Sequence, residues 1–188
     1  MRTFREPLWN LPMTVRDLSR KYRVHVSASV CVPLSASAVW GQMRDFSWFT
    51  TLDPFHVQVR VSAPRYRTGA RLVIDHRFLG IGFKRVGRIL KWTEGLGYCF
   101  SDLSVRGVHN GFPHVYCYRI QSIDEHTTRI GVSVRGRWTA TFFPRWLIKL
   151  WLRFVMANAG ARIRLAMWAH YRYLAKLSRG SFGGHGVQ

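Results

Sequence analysis

Between residues 22 and 32 the chain alternates. Val24, Val26, Ala28, Val30 and Val32 share one parity, with Arg, His, Ser and Cys between them. Apolar side chains at every second position mark a strand with one buried face. Pro33 ends it, and Ser35 can cap a short helix over 35–43 with Val39 and Trp40 as its apolar side. Asp45 can cap a second short helix through Phe46, Trp48 and Phe49, which Pro54 closes. Strand-like segments follow at 55–63, 71–79, 83–93, 98–105, 113–123 and 127–138, punctuated by Thr68-Gly69, Gly80–Gly82, Gly95–Gly97 and Asp124–His126. From 144 to 177 the period becomes helical. Trp146, Leu147, Leu150, Trp151, Phe154, Val155, Ala161, Leu165 and Trp168 cover one wide side, opposite Arg145, Lys149, Arg153, Gly160 and Arg164.

The element order is therefore β-αα-β6-α, an α+β domain over 22–177. An N-terminal arm at 1–21 precedes it, and a Gly-rich tail at 178–188 follows. A sheet with one apolar face must bury that face, and the long amphipathic helix is its natural cover.

The stretch VPLSASAVWGQMRDFSWF, Gly69 before a strand, and HVYCYRI followed by TTRIGVSV carry a resemblance. Over residues 22–176 the chain resembles the START/Bet v 1-like (SRPBCC) superfamily of polyketide cyclase/dehydrase and lipid-transport proteins. The resemblance implies a helix-grip fold, a curved antiparallel seven-stranded sheet around the long C-terminal helix. It implies a cavity between them that binds a hydrophobic small molecule or lipid for transport or presentation. The alternative it implies is a cyclase or dehydrase working without metal or nucleotide cofactor. In this superfamily the functional residues line the cavity and vary with the ligand, so no catalytic motif carries over. The ligand, the presence of catalysis and the oligomeric state stay open.

Alternation assigns the cavity wall. Charged Arg71, Asp75 and Arg77 turn Leu72, Ile74, His76 and Phe78 inward, and Arg119 and Gln121 do the same for His114, Tyr116, Tyr118 and Ile120. Tyr98, Phe100 and Asp102 share a face, as do Ile130, Val132, Val134 and Trp138. In 55–63 the pattern places Phe55, Val57, Val59 and Val61 together, with His56, Gln58 and Arg60 opposite. Ligand contacts are expected from Ile74, Phe78, Tyr98, Phe100, Asp102, Tyr118, Val132, Val134 and Trp138, with Trp151 and Phe154 on the helix. His76, His114 and Tyr116 are the candidate general acid/base groups for an enolisable carbonyl. Core histidines bonded to a neighbour account for the same rings. A zinc site from His76, His114 and Asp102 gains no support from ligand spacing, and no metal is expected.

Composition adds one unusual feature. Against nine Asp+Glu stand 29 Lys+Arg, a formal charge of +20. The excess suits an anionic membrane surface, above all along Arg145, Lys149, Arg153, Arg162 and Arg164 with Trp146 and Trp151 beside them. An ordinary solvated cationic surface accounts for it too. Basic residues spread along every segment argue against nucleic acid. Three cysteines without a CxxC pair argue against a disulfide scaffold and fit a reducing cytoplasm. No secretory h-region or transmembrane run is evident, and no nucleotide-binding or nucleophile-elbow motif occurs.

Overall fold

The computed structural model describes residues 23–63, 65–78, 80–104, 112–137 and 145–180. The elements are β1 (Arg23–Val32), α1 (Ala36–Met43), α2 (Phe46–Thr50), β2 (His56–Val61), β3 (Arg71–Phe78), β4 (Ile81–Thr93), β5 (Gly97–Ser104), β6 (His114–Ser122), β7 (Thr128–Arg137) and α3 (Arg145–Gly180). They follow the order that the alternation and the change of period dictate. The arm at 1–21 lies outside the described residues. α3 runs on to Gly180, into the segment expected as tail.

The strands form one curved antiparallel sheet in the order β1-β7-β6-β5-β4-β3-β2. Each strand from β2 to β7 pairs with the next, and β1 lies along β7 from Arg23 opposite Arg137 to Val32 opposite Thr128. The two short helices start at their caps. Ser35 Oγ accepts the Ala38 amide at 3.3 Å, and Asp45 Oδ1 accepts the Trp48 amide at 3.1 Å. Phe46 and Phe49 then drive α2 into the sheet. Phe46 meets Tyr98 and Phe100 edge-on, with centroids 5.0 and 5.2 Å apart, and Phe49 meets Tyr118 at 5.2 Å. α3 packs against β1 and touches β7.

The buried stripe of α3 differs from the expected one. Leu152, Val155, Met156, Ala159, Ile163 and Met167 face the sheet, whereas Phe154 is 69% exposed and Trp146, Leu150, Leu165 and Trp168 also face outward. Phe154 is thus no part of the interior. Hydrophobicity misleads here because α3 carries apolar residues on opposite sides. The side with spacings of three and four and the smaller, more adaptable Ala and Met packs inside, while the bulkier rings stay out.

The cysteines also require a correction. Cys99 of β5 and Cys117 of β6 stand directly opposite and form a disulfide, leaving Cys31 free and exposed. Parity alone does not reveal cross-strand pairing, so nothing in the spacing of the cysteines signals this bond. The cytoplasmic expectation loses the support that free cysteines lent it.

One glycine is fixed by close approach. A Cβ on Gly87 of β4 would lie 1.8 Å from the Ser101 carbonyl oxygen of β5. Backbone, not a flexible side chain, occupies that space. Gly87→Ala is therefore expected to destabilise the chain by about 2–3 kcal/mol, the range of serious overpacking. A denaturant titration tests this, and a loss under about 0.5 kcal/mol would show that β4 and β5 separate easily there.

Candidate functional site

The inner face of the sheet ends in a buried group of charged and polar side chains. Inward parity brings His76 from β3, Asp102 from β5, and His114 and Tyr116 from β6 to this face, with Asp102 directly opposite His114. β4 contributes Arg85, which donates from Nε to Asp102 Oδ1 and from Nη2 to the carbonyls of Asp102 and Phe112 at 2.9 and 2.7 Å. The sixth member is His56, directly opposite His76. The β2–β3 register shifts between His56 and Gln58. That bulge adds one residue and reverses the parity before it. His56 is consequently buried and Val57 is 49% exposed, the opposite of the alternation reading.

Asp102 sits at the centre. Its Oδ2 lies 3.0 Å from His76 Nε2, 3.3 Å from His114 Nε2 and 3.7 Å from His56 Nε2. Burial alone would raise this carboxyl, but the electrostatic pull of the imidazoles around it, His114 first and then His56 and His76, holds it well below the usual carboxylate range. His56 responds in the opposite sense. Burial would lower it, yet the charge of Asp53 and the nearby Asp102 carboxylate raise it above its ordinary value. Tyr116 extends the group by donating to Asp53 Oδ2 at 2.9 Å, while Asp53 Oδ1 accepts the Phe55 amide at 2.9 Å. Burial, and then Asp53, push the Tyr116 phenol well above its usual range, so it stays a donor.

The rings are held by stacking. His76 lies 5.2 Å from the Phe83 ring, nearly parallel to it, and His114 stacks on Phe112 at 4.5 Å. His56 meets His76 edge-on at 4.7 Å.

No family model matches this chain, and no curated protein matches it. Solved structures do. The crystal structure of Ara h 8.0201 superposes with a TM-score of 0.59 at 9% identity, covering 78% of this chain and 99% of that one. A START superfamily protein from Mycobacterium smegmatis superposes with a TM-score of 0.61 at 15% identity, covering 77% and 97%. The fold is START/Bet v 1-like. A protein from Thermus thermophilus agrees, with a TM-score of 0.55 at 14% identity over 76% of this chain and 99% of that one.

Within this START/Bet v 1-like fold, Ile74, Tyr98, Phe100, Asp102, Tyr118, Val132 and Val134 all point inward and are buried. Tyr98, Phe100 and Tyr118 are packed by Phe46 and Phe49 of α2. Trp138, and the side chains of Phe78 and Trp151, lie outside the described residues. The structure brings the three acid/base candidates His76, His114 and Tyr116 into one group with Asp102. It adds His56, Arg85 and Asp53, which sequence reasoning missed. Arg85 shares its inward parity with Phe83, Gly87 and Ile89. A charged residue in that series was a readable sign of an inward cation with a buried partner.

Proposed function

We propose that this chain binds a hydrophobic small molecule or lipid between its sheet and α3, with the ligand's polar end turned to the group around Asp102. The observation that carries this reading is a drop in burial along β1. Val26 and Val32 are buried, but between them Ala28 and Val30, on the same inward parity, are only half-buried. Apolar surface is therefore accessible on the inner face where α3 packs on β1.

The register gives the ligand a direction. Ala28 lies opposite Val132, which lies opposite Tyr118; the row four residues along runs Val24, Gly136, His114, Asp102. Four residues of antiparallel strand span about 14 Å, and β5 lies three strands from β1, another ~14 Å across. An apolar body about 20 Å long, starting beside Ala28 and Val30, would thus reach the polar group with one end, the usual arrangement of an apolar pocket with a few convergent polar groups. Met156 and Met167, on the buried stripe of α3, supply side chains that adapt to an irregular partner.

Ala28→Trp tests the assignment. The indole should occupy the ligand's apolar end and weaken binding of a fluorescent long-chain acyl probe at least tenfold. Melting should stay within a few degrees of the wild type. Unchanged probe affinity in a folded variant would sink the proposal.

A second reading is favoured by the 3.0 Å separation of His76 Nε2 and Asp102 Oδ2. Such a pair suits a cyclase or dehydrase. His76 would take the α-proton of a β-hydroxy carbonyl compound, the C–H electrons would form the new double bond, and the hydroxyl would leave as water with that same proton returned to it from His76. The ligand recovered from the protein separates the readings, since only this one needs an enolisable carbonyl.

The same proposal assigns the outer side of α3 to an anionic membrane surface, where the ligand is collected or delivered. Trp146, Leu150, Phe154, Leu165 and Trp168 are exposed, among the basic residues Lys149, Arg153, Arg164 and Arg172. The Arg172 guanidinium lies 4.7 Å over the Trp168 ring. Aromatic rings among cations in a chain of +20 complement an anionic lipid interface. Among the described residues no helix is long and apolar enough to cross a membrane.

A further inference from the structure

Two imidazoles in the buried group have their tautomers fixed by the backbone. His56 Nδ1 lies 2.9 Å from the Thr50 carbonyl oxygen, and His114 Nδ1 lies 2.6 Å from that of Phe112. A carbonyl only accepts, so each Nδ1 carries the hydrogen. In each neutral ring Nε2 then bears a lone pair. Both lone pairs face Asp102 Oδ2, itself only an acceptor, at 3.7 and 3.3 Å. His76 Nε2 closes the group from 3.0 Å. His56 Nε2 and Asp102 Oδ2 are buried without a hydrogen-bond partner. Arg85 takes Oδ1 and leaves Oδ2 clear. Acceptors converging on a buried negative centre call for a cation.

The geometry points to a site for one divalent first-row transition-metal ion, held by His56, His76 and Asp102. Ligand atoms of these three residues lie within 4.8 Å of one another. Tetrahedral ligands at about 2.0–2.1 Å from zinc stand ~3.3 Å apart. The separations of 3.0 and 3.7 Å from Asp102 Oδ2 to the two rings bracket that value. His56 binds through Nε2 while its Nδ1–H stays on the Thr50 carbonyl, which fixes the ring and raises its basicity. Two imidazoles and one carboxylate leave coordination positions open for water or for a ligand's polar end. His114 stands outside the ligand set, and Arg85, bonded to Oδ1, orients Asp102. The sequence raised His114 in place of His56, because the bulge in β2 hides His56 from alternation. This site does not depend on the bound apolar molecule and is tested without one.

The experiment uses the full chain, treated with chelator and dialysed, then titrated with Co(II) and followed by visible absorption. One Co(II) per chain should bind, give ligand-field bands and be displaced by Zn(II), and Zn(II) should raise the melting temperature. His56→Gln and His76→Gln should each weaken binding at least tenfold. His126→Gln, at an exposed turn, should change nothing. If one glutamine variant fails to fold, the other, together with the zinc-dependent melt of the wild type, decides. Absence of stoichiometric binding by the wild type overturns the site, as does wild-type affinity in a folded His56→Gln or His76→Gln chain.

Discussion

Asp102→Ala is expected to destabilise the chain by about 3–5 kcal/mol, the range for removing one partner of a buried ion pair. Its carboxylate is fully buried and is the ionic partner of Arg85, itself nearly buried. Without it the guanidinium keeps only its two carbonyl acceptors, on residue 102 and Phe112. At about 2–4 °C per kcal/mol for a chain of this size, the melting temperature should fall by roughly 6–20 °C. The double variant Arg85→Met, Asp102→Leu separates the causes. It removes both charges and should recover much of the loss, since an apolar pair of similar volume often matches a buried ion pair. If Asp102→Ala costs under about 1 kcal/mol, the pair is not buried as described. If the double variant is worse than the single, the histidines rather than Arg85 depend most on Asp102.

The second large effect is expected at the membrane. Exposed rings at Trp146, Phe154 and Trp168 would lose water contact on entering a lipid interface, each contributing up to roughly 1.5–3 kcal/mol if fully buried. Each basic residue near an anionic surface adds about 1 kcal/mol. Vesicles containing phosphatidylglycerol should therefore sediment the protein, and pure phosphatidylcholine vesicles should do so far more weakly. Added salt should release it. Replacing Trp146, Phe154 and Trp168 together by alanine should weaken binding to anionic vesicles about a hundredfold, the equivalent of roughly 3 kcal/mol. Exposed substitutions of this kind leave stability nearly unchanged. A triple variant that binds as well as the wild type would show that α3's outer side is not the contact.

Much of this was legible in the sequence, and the failures have identifiable physics. Alternation placed Leu72, Ile74, His76, Tyr98, Phe100, Asp102, His114, Tyr116 and Tyr118 on the correct face because β3, β5 and β6 keep one parity over those positions. The same rule failed at His56, since a bulge reverses parity and leaves no mark on the hydrophobic pattern. Asp53 was out of reach for a different reason. It lies in the turn after α2, and only the folded chain brings it to Tyr116, 63 residues away in sequence. α3 was found as a helix and given the wrong inner side. With apolar residues on opposite faces, packing against β1 decides, and packing is tertiary. The disulfide was hidden by the same limit, because cross-strand register, not spacing, sets Cys99 opposite Cys117.

Whether the interior holds an apolar molecule is tested most directly by native mass spectrometry of the purified full chain, with mild activation and organic extraction of whatever is released. The expected result is a discrete mass adduct that extraction recovers as a hydrophobic compound with one polar end, and that is lost in Ala28→Trp. A chain of bare sequence mass that also takes up no apolar compound offered in excess would contradict the binding role.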